Sequence, residues 1–160
     1  MKILIPTAKE MNLSLKPHGK CFLSEQTKTI VASLSQYSIE ELADFYHIGL
    51  ERAEEEYVHF QQLKNGQALT YPALHLFDGL MYRNIKRSDL TEKKSRYVDK
   101  HLFITSGLYG VMPAMALISP HRLDFSAKCT ISGKSLKNYW RNDYDAAISD
   151  EEMILSLLSS

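Results

Sequence analysis

The chain has 160 residues, a mass of 18.3 kDa and equal numbers of basic and acidic side chains, 19 each. That length supports one domain with its own core, and 44% hydrophobic with 24% charged residues excludes a disordered chain. Zero net charge excludes a strongly basic nucleic-acid arm, and the longest apolar run, Val111–Ile118, falls far short of the ~20 residues that span a bilayer.

Lys2–Pro6 is a short β-branched run closed by proline and is expected to open the fold as a strand. Residues 10–25 carry Pro17, Gly19 and polar side chains and read as loop. Gln26–Gln36 has helical spacing through Ile30, Val31 and Leu34. Ser38 caps a second helix, Ile39–Tyr46, with Glu40 and Glu41 favoured in its first turn by the helix dipole. Gly49 breaks the pattern, and a third helix runs from Leu50 to Asn65. Ala73–Asp78 is expected as a buried strand, Thr91–His101 as a helix, His101–Ser106 as a buried strand, Leu117–Ile131 as extended, and Leu136–Ile148 as one last helix. The expected fold class is α+β: a central sheet of a few strands flanked by helices, with an αα-hairpin near the N-terminus, in a single domain over 1–160.

Charge is uneven beneath the zero total. Seven acids and only Arg52 lie between Ile39 and Glu56, whereas seven Lys/Arg and three acids lie between Met81 and His101. These are two solvated faces, or the second is a basic face that approaches an anion.

Leu42, Phe45, Ile48, Gly49 and Ala53 fit a helix-hairpin-helix element, whose turn amides grip a DNA phosphate without reading sequence. His47, Ile48, Gly49 and Arg52 are its candidate contacts. Tyr46-His47 replaces the usual Pro-Gly pair, and a plain αα-hairpin packed on the core is the competing reading. Ser132-Gly133-Lys134-Ser135 echoes the end of a phosphate loop, but Lys128 stands where a nucleoside-triphosphate loop needs its first glycine. Lys134 therefore remains a simpler anion contact, with a capped Gly turn as the alternative. Ser106-Gly107-Leu108-Tyr109-Gly110 offers a tight turn or a close ligand approach. Arg122 and Asp124 share one side of an extended segment, where they pair with each other or join Lys9 around a carboxylate or phosphate. His18 and Cys21 lack a second pair, and no histidine spacing fits zinc. No metal and no cofactor is expected.

Several blocks in this order resemble one family: Ile5-Pro6-Thr7-Ala8-Lys9, Phe77-Asp78-Gly79 with Tyr82, Ser106-Gly107-Leu108-Tyr109-Gly110-Val111, Pro120-His121-Arg122-Leu123-Asp124, and Gly133-Lys134-Ser135-Leu136 with Tyr139-Trp140. They are similar to the YaaA family of bacterial peroxide-stress proteins along nearly the whole chain. The resemblance implies a cytoplasmic protein that limits free intracellular iron and spares DNA, with double-stranded DNA as a partner through the hairpin. It places Lys9, Arg122, Asp124 and Lys134 on motif positions, to which Ser106 and Tyr109 are added as a ligand cleft, and it brings no reaction with it. The alternative is an enzyme or binding protein for a small anionic metabolite. Family members continue for a substantial C-terminal region, so the chain is expected to be the N-terminal portion of a longer fold. The apolar run Met153–Leu158 is then left uncovered and invites self-association.

Overall fold

Residues 1–158 are described by a computed structural model. Strand β1 (Lys2–Pro6) alternates its apolar side chains across the sheet, with Leu4 and Ile5 both buried. Helix α1 (Glu25–Leu34) is capped by the Ser24 hydroxyl and buries Thr27, Ile30, Val31 and Leu34. Helix α2 (Ile39–Tyr46) starts in a full capping box, with Ser38 and Glu41 satisfying each other's amides. It ends at His47 in the left-handed region, φ 53°. Helix α3 (Leu50–Lys64) buries Ala53, Glu56, Phe60 and Leu63 at helical spacing and packs against α2.

After β2 (Tyr71–Pro72), residues Ala73–Leu76 form a helical turn, α4, where the apolar run predicted a strand. Pro72 sets a φ suited to the turn, the Ala73 and Leu74 amides donate to Ala116 and Ala114 carbonyls, and the Arg87 guanidinium donates to the carbonyls of Leu74 and Phe77. Tertiary partners thus outweigh local β propensity. A short helix α5 (Leu80–Arg83) carries Tyr82, whose buried hydroxyl donates to the Pro6 carbonyl at 2.6 Å. Helix α6 (Glu92–His101) is capped by Thr91.

Strand β3 (Leu102–Ser106) pairs parallel to β1 with Ile5 opposite Ile104, and β4 (Gly110–Pro113) returns antiparallel to β3. The predicted extended stretch 117–131 is mostly irregular, holding only β5 (Leu117–Ile118) and β6 (Thr130–Ile131). β5 pairs with β2, and β6 forms a hairpin with β7 (Lys134–Ser135). The predicted helix 136–148 is divided at Trp140 into α7 (Leu136–Tyr139) and α8 (Arg141–Ile148). Strand β8 (Ile154–Ser156) completes a sheet ordered β4-β3-β1-β8 by pairing parallel to β1. The apolar terminal run is therefore docked through its backbone, yet Met153, Ile154, Leu155 and Leu157 keep their side chains exposed at the sheet edge.

Two apolar clusters hold these parts. One joins α1–α3 to Leu108, Leu123, Ile131, Leu136 and Trp140. The other joins Ile5 and Ile104 to Leu74, Phe77, Tyr82 and Met112. Tyr109 packs against both. Two glycines permit the close fit between them. A Cβ at Gly107 would sit 2.9 Å from the Asp124 carbonyl oxygen, and one at Gly110 (φ 74°) would sit 2.7 Å from the Trp140 ring. The loop before α7 and the ring at its end are thus pressed onto the turn between β3 and β4.

Candidate functional site

Because β1, β3 and β8 are parallel, their carboxyl ends open on one side of the sheet, where open sheets with parallel strands commonly bind ligands. A cleft of about 660 Å³ lies there. Pro6 and Thr7 line it from the end of β1, Thr105 from β3, and Leu158 from the segment after β8. Asp124, Phe125 and Ser126 form one wall, while Trp140, Tyr144 and Asp145 form another. Lys9, Lys137 and Arg141 supply three cations.

The local sequence explains this placement. The Trp140 indole N–H donates to the Gly107 carbonyl at 2.9 Å, and its ring covers Gly110, which fixes α7 and α8 to the end of β3. Lys137 stands on α7, and Arg141 and Tyr144, three residues apart, share one face at the start of α8. The Asp124 carboxylate turns back on its own loop, accepting from the Ser126 amide at 2.8 Å and from the Ser126 hydroxyl. Among the described residues none of the three cations forms an ion pair, so each keeps its charge for an incoming anion.

A second polar group lies wholly inside. The Ser106 hydroxyl and His121 Nε2 are 2.8 Å apart, and His121 Nδ1 lies 3.0 Å from the Ser119 carbonyl oxygen. That carbonyl can only accept, so the ring carries its proton on Nδ1 and Nε2 accepts from Ser106. The same Ser106 oxygen accepts from the amides of Leu108 and Tyr109, both at 3.1 Å. Burial pushes the His121 pKa down to about 4, so the ring is neutral at pH 7. The Tyr109 hydroxyl accepts from the Ser119 amide at 3.0 Å and touches the Cys21 thiol at 3.6 Å; burial raises its pKa. Ser106 and His121 have the contact of a nucleophile with its base, but both are at most 1% exposed. No substrate reaches them, and the pair pins the 119–124 loop to the β3 turn.

The residues singled out in the sequence therefore divide. Lys9 and Asp124 line the cleft together. Ser106 and Tyr109 lie in the interior network behind it. Arg122 does not line the cleft; it is half-buried, with its charge opposing the burial-driven rise of the Tyr46 pKa. Lys134 is exposed on β7, after a turn in which Ser132 and Gly133 both take positive φ, and the Ser135 hydroxyl caps α7 by accepting from the Asn138 amide, so the motif forms the capped Gly turn. In the hairpin, His47, Gly49 and Arg52 are exposed, whereas Ile48 is packed against the core. Gly49 caps α3 with an ordinary φ of −68° and open space at its Cβ position, so the backbone makes no demand for glycine there. Asp44, Glu51, Glu54 and Glu55 flank the turn in sequence, all exposed.

Part of the 81–101 basic stretch is already neutralised. Arg83 pairs with Glu10 and Asp78, and Arg87 pairs with Asp78. Lys137, Arg141 and Tyr144 were missed by sequence reading, because the bend at Trp140 that brings α7 and α8 to one cleft has no local signal. No group of three or more His, Cys, Asp or Glu among the described residues is placed to hold a metal ion. No helix among them is long and apolar enough to cross a membrane.

The sequence model of the family described as peroxide stress protein YaaA matches residues 1–160. The UPF0246 protein of Streptococcus gordonii is 57% identical over 160 residues, which cover 100% of this chain and 66% of that protein. UPF0246 proteins of Streptococcus pneumoniae, from serotype 19F and from strain CGSP14, are 52% and 51% identical with the same coverage. The chain spans about two thirds of the length of the curated relatives it matches.

Proposed function

This chain belongs to the peroxide stress protein YaaA family, and from that premise we propose that it serves peroxide resistance by holding phosphate groups, those of double-stranded DNA first among them, at the strand-end cleft. One observation carries the proposal: Lys9, Lys137 and Arg141 meet at the carboxyl ends of the parallel strands with no ion-pair partner among the described residues. Cations on a rigid rim bind the phosphate backbone without reading sequence, and the affinity comes from released counterions.

In this reading the protein works in the cytoplasm and spares DNA by occupying it. Any limit on free iron is indirect, since the cleft cations suit phosphate rather than a metal. A small anionic metabolite is the alternative occupant, favoured by a volume within the ~300–1,000 Å³ of small-molecule sites. Self-association through the exposed edge of β8 is a further part of the proposal, supported by the apolar side chains it leaves in water.

A gel shift with a DNA duplex across a salt series tests the main reading. Binding that appears at low salt and fades steeply as salt rises is expected. No shift at the lowest salt would overturn it.

A further inference from the structure

The cleft is not merely basic. Phe125 and Tyr144, both half-buried, line it beside the largely buried Trp140. A site for backbone phosphate alone has no use for this apolar wall, because phosphates of a duplex lie on its outside and are met by a charged surface. Aromatic walls beside cations are the pattern that takes up bases, one face of the base on a ring and its phosphate on Lys or Arg. A base still paired in a duplex is held in the stack and cannot enter; one that is free or unpaired can.

We propose that the cleft binds a nucleoside phosphate unit, its base against Tyr144 and Phe125 and its phosphate against Lys9, Lys137 and Arg141. This rests on the phosphate-binding reading above and narrows it. The unit has two sources, an unpaired nucleotide within a strand or a free mononucleotide. The remaining groups suit it. Thr7 brings a hydroxyl to the cleft, and Asp145 can accept from a ribose hydroxyl or an exocyclic amine.

Trp140 is the only tryptophan in the chain and lines the cleft, so its emission reports occupancy without a label. The intact chain is titrated with oligothymidylate, with a blunt duplex of the same length, and with thymidine monophosphate. The proposal expects oligothymidylate to change the emission and to bind about tenfold or more tightly than the duplex, the scale of one stacked base. Tyr144→Leu should bring that ratio close to one by weakening oligothymidylate binding, and Tyr144→Phe should restore it. The Phe variant keeps the test decisive if the Leu variant folds poorly. A mononucleotide that binds as tightly as the oligonucleotide identifies the free nucleotide as the source; one that binds more weakly identifies the strand. Equal binding of single strand and duplex, with both weakened by Lys137→Ala, overturns this inference and leaves the phosphate reading standing. No binding of any probe at low salt overturns both.

Discussion

The α2–α3 hairpin and the strand-end cleft each have a physical reason to meet a phosphate, and they offer it opposite electrostatics. The hairpin has the shape of a DNA-gripping element: two helices, a tight turn and an uncapped α3 start whose amides are free. Close to those amides in sequence stand Asp44, Glu51, Glu54 and Glu55, with Arg52 the one Lys or Arg between Ile39 and Glu56. The cleft has no familiar motif, yet it gathers three cations against two carboxylates, one of them turned onto its own loop. Amides at a helix start contribute roughly half a charge, too little to offset the four exposed carboxylates of Asp44, Glu51, Glu54 and Glu55. Shape alone does not make an anion site; the sum of nearby charges decides.

The largest effect that separates the two regions is expected from charge reversal. Lys137→Glu with Arg141→Glu should weaken binding of a DNA probe at least about a hundredfold, read by anisotropy at fixed low salt. Arg52→Ala should change it less than about twofold. The reverse ranking would transfer the site to the hairpin.

A second contrast concerns the seam between the regions. His121 pins the loop that carries Asp124, and it faces Glu56 and His59 of α3 as well as Asp124. Its pKa in the folded chain is about 4, against about 6.5 for an unburied imidazole. Below pH 6.5 the unfolded chain takes a proton that the folded chain refuses. Stability from this group is therefore complete above pH 6.5 and is lost as pH falls toward 4, by about 3 kcal/mol in all. Urea midpoints across this window should fall for the natural chain and fall less for His121→Gln. Parallel curves for the two proteins would remove His121 from the account.

A third contrast uses glycine. Gly110→Ala forces a positive φ on alanine and drives a methyl group into the Trp140 ring, so it should cost about 1–3 kcal/mol and disturb the cleft. Gly49→Ala meets open space at an ordinary φ and should leave both melting temperature and DNA affinity close to the natural chain. If Gly49→Ala weakened DNA binding while folding normally, the hairpin amides would be in close contact with phosphate after all. The smallest effect is expected at the β8 edge: Leu155→Lys should leave the fold intact and reduce any concentration-dependent sedimentation. An unchanged sedimentation profile in a chain that does self-associate would place the contact elsewhere.

Much of the fold was legible wherever local signals agreed. Ser24, Ser38 and Thr91 marked or fitted helix starts, β1 and β3 read as apolar β-branched runs, and α3 showed its stripe through Phe60 and Leu63. The reading failed where distant groups decide. Ala73–Leu76 is helical because Arg87 and the 114–116 carbonyls hold its polar backbone groups, and none of those partners is near in sequence. The last helix breaks at Trp140 because the indole is committed to Gly107 and Gly110. For the site, Lys9 and Asp124 could be marked as charged residues in motif-like blocks, but their meeting depends on the parallel register of β1 and β3. Ser106 and Tyr109 looked like ligand contacts because turn-forming glycines flank them. Neither lines the cleft: the Ser106 hydroxyl bonds His121 and the Tyr109 hydroxyl accepts from the Ser119 amide.

The salt dependence of DNA binding tests the cleft as the phosphate site most directly. Each cation that neutralises a phosphate contributes about −0.9 to the slope of log Kobs against log salt. The natural chain should show a slope of about −2 to −3, and Lys9→Ala, Lys137→Ala and Arg141→Ala should each make it shallower by about one, with Arg52→Ala unchanged. A slope that the three cleft variants leave intact and Arg52→Ala reduces would contradict the account.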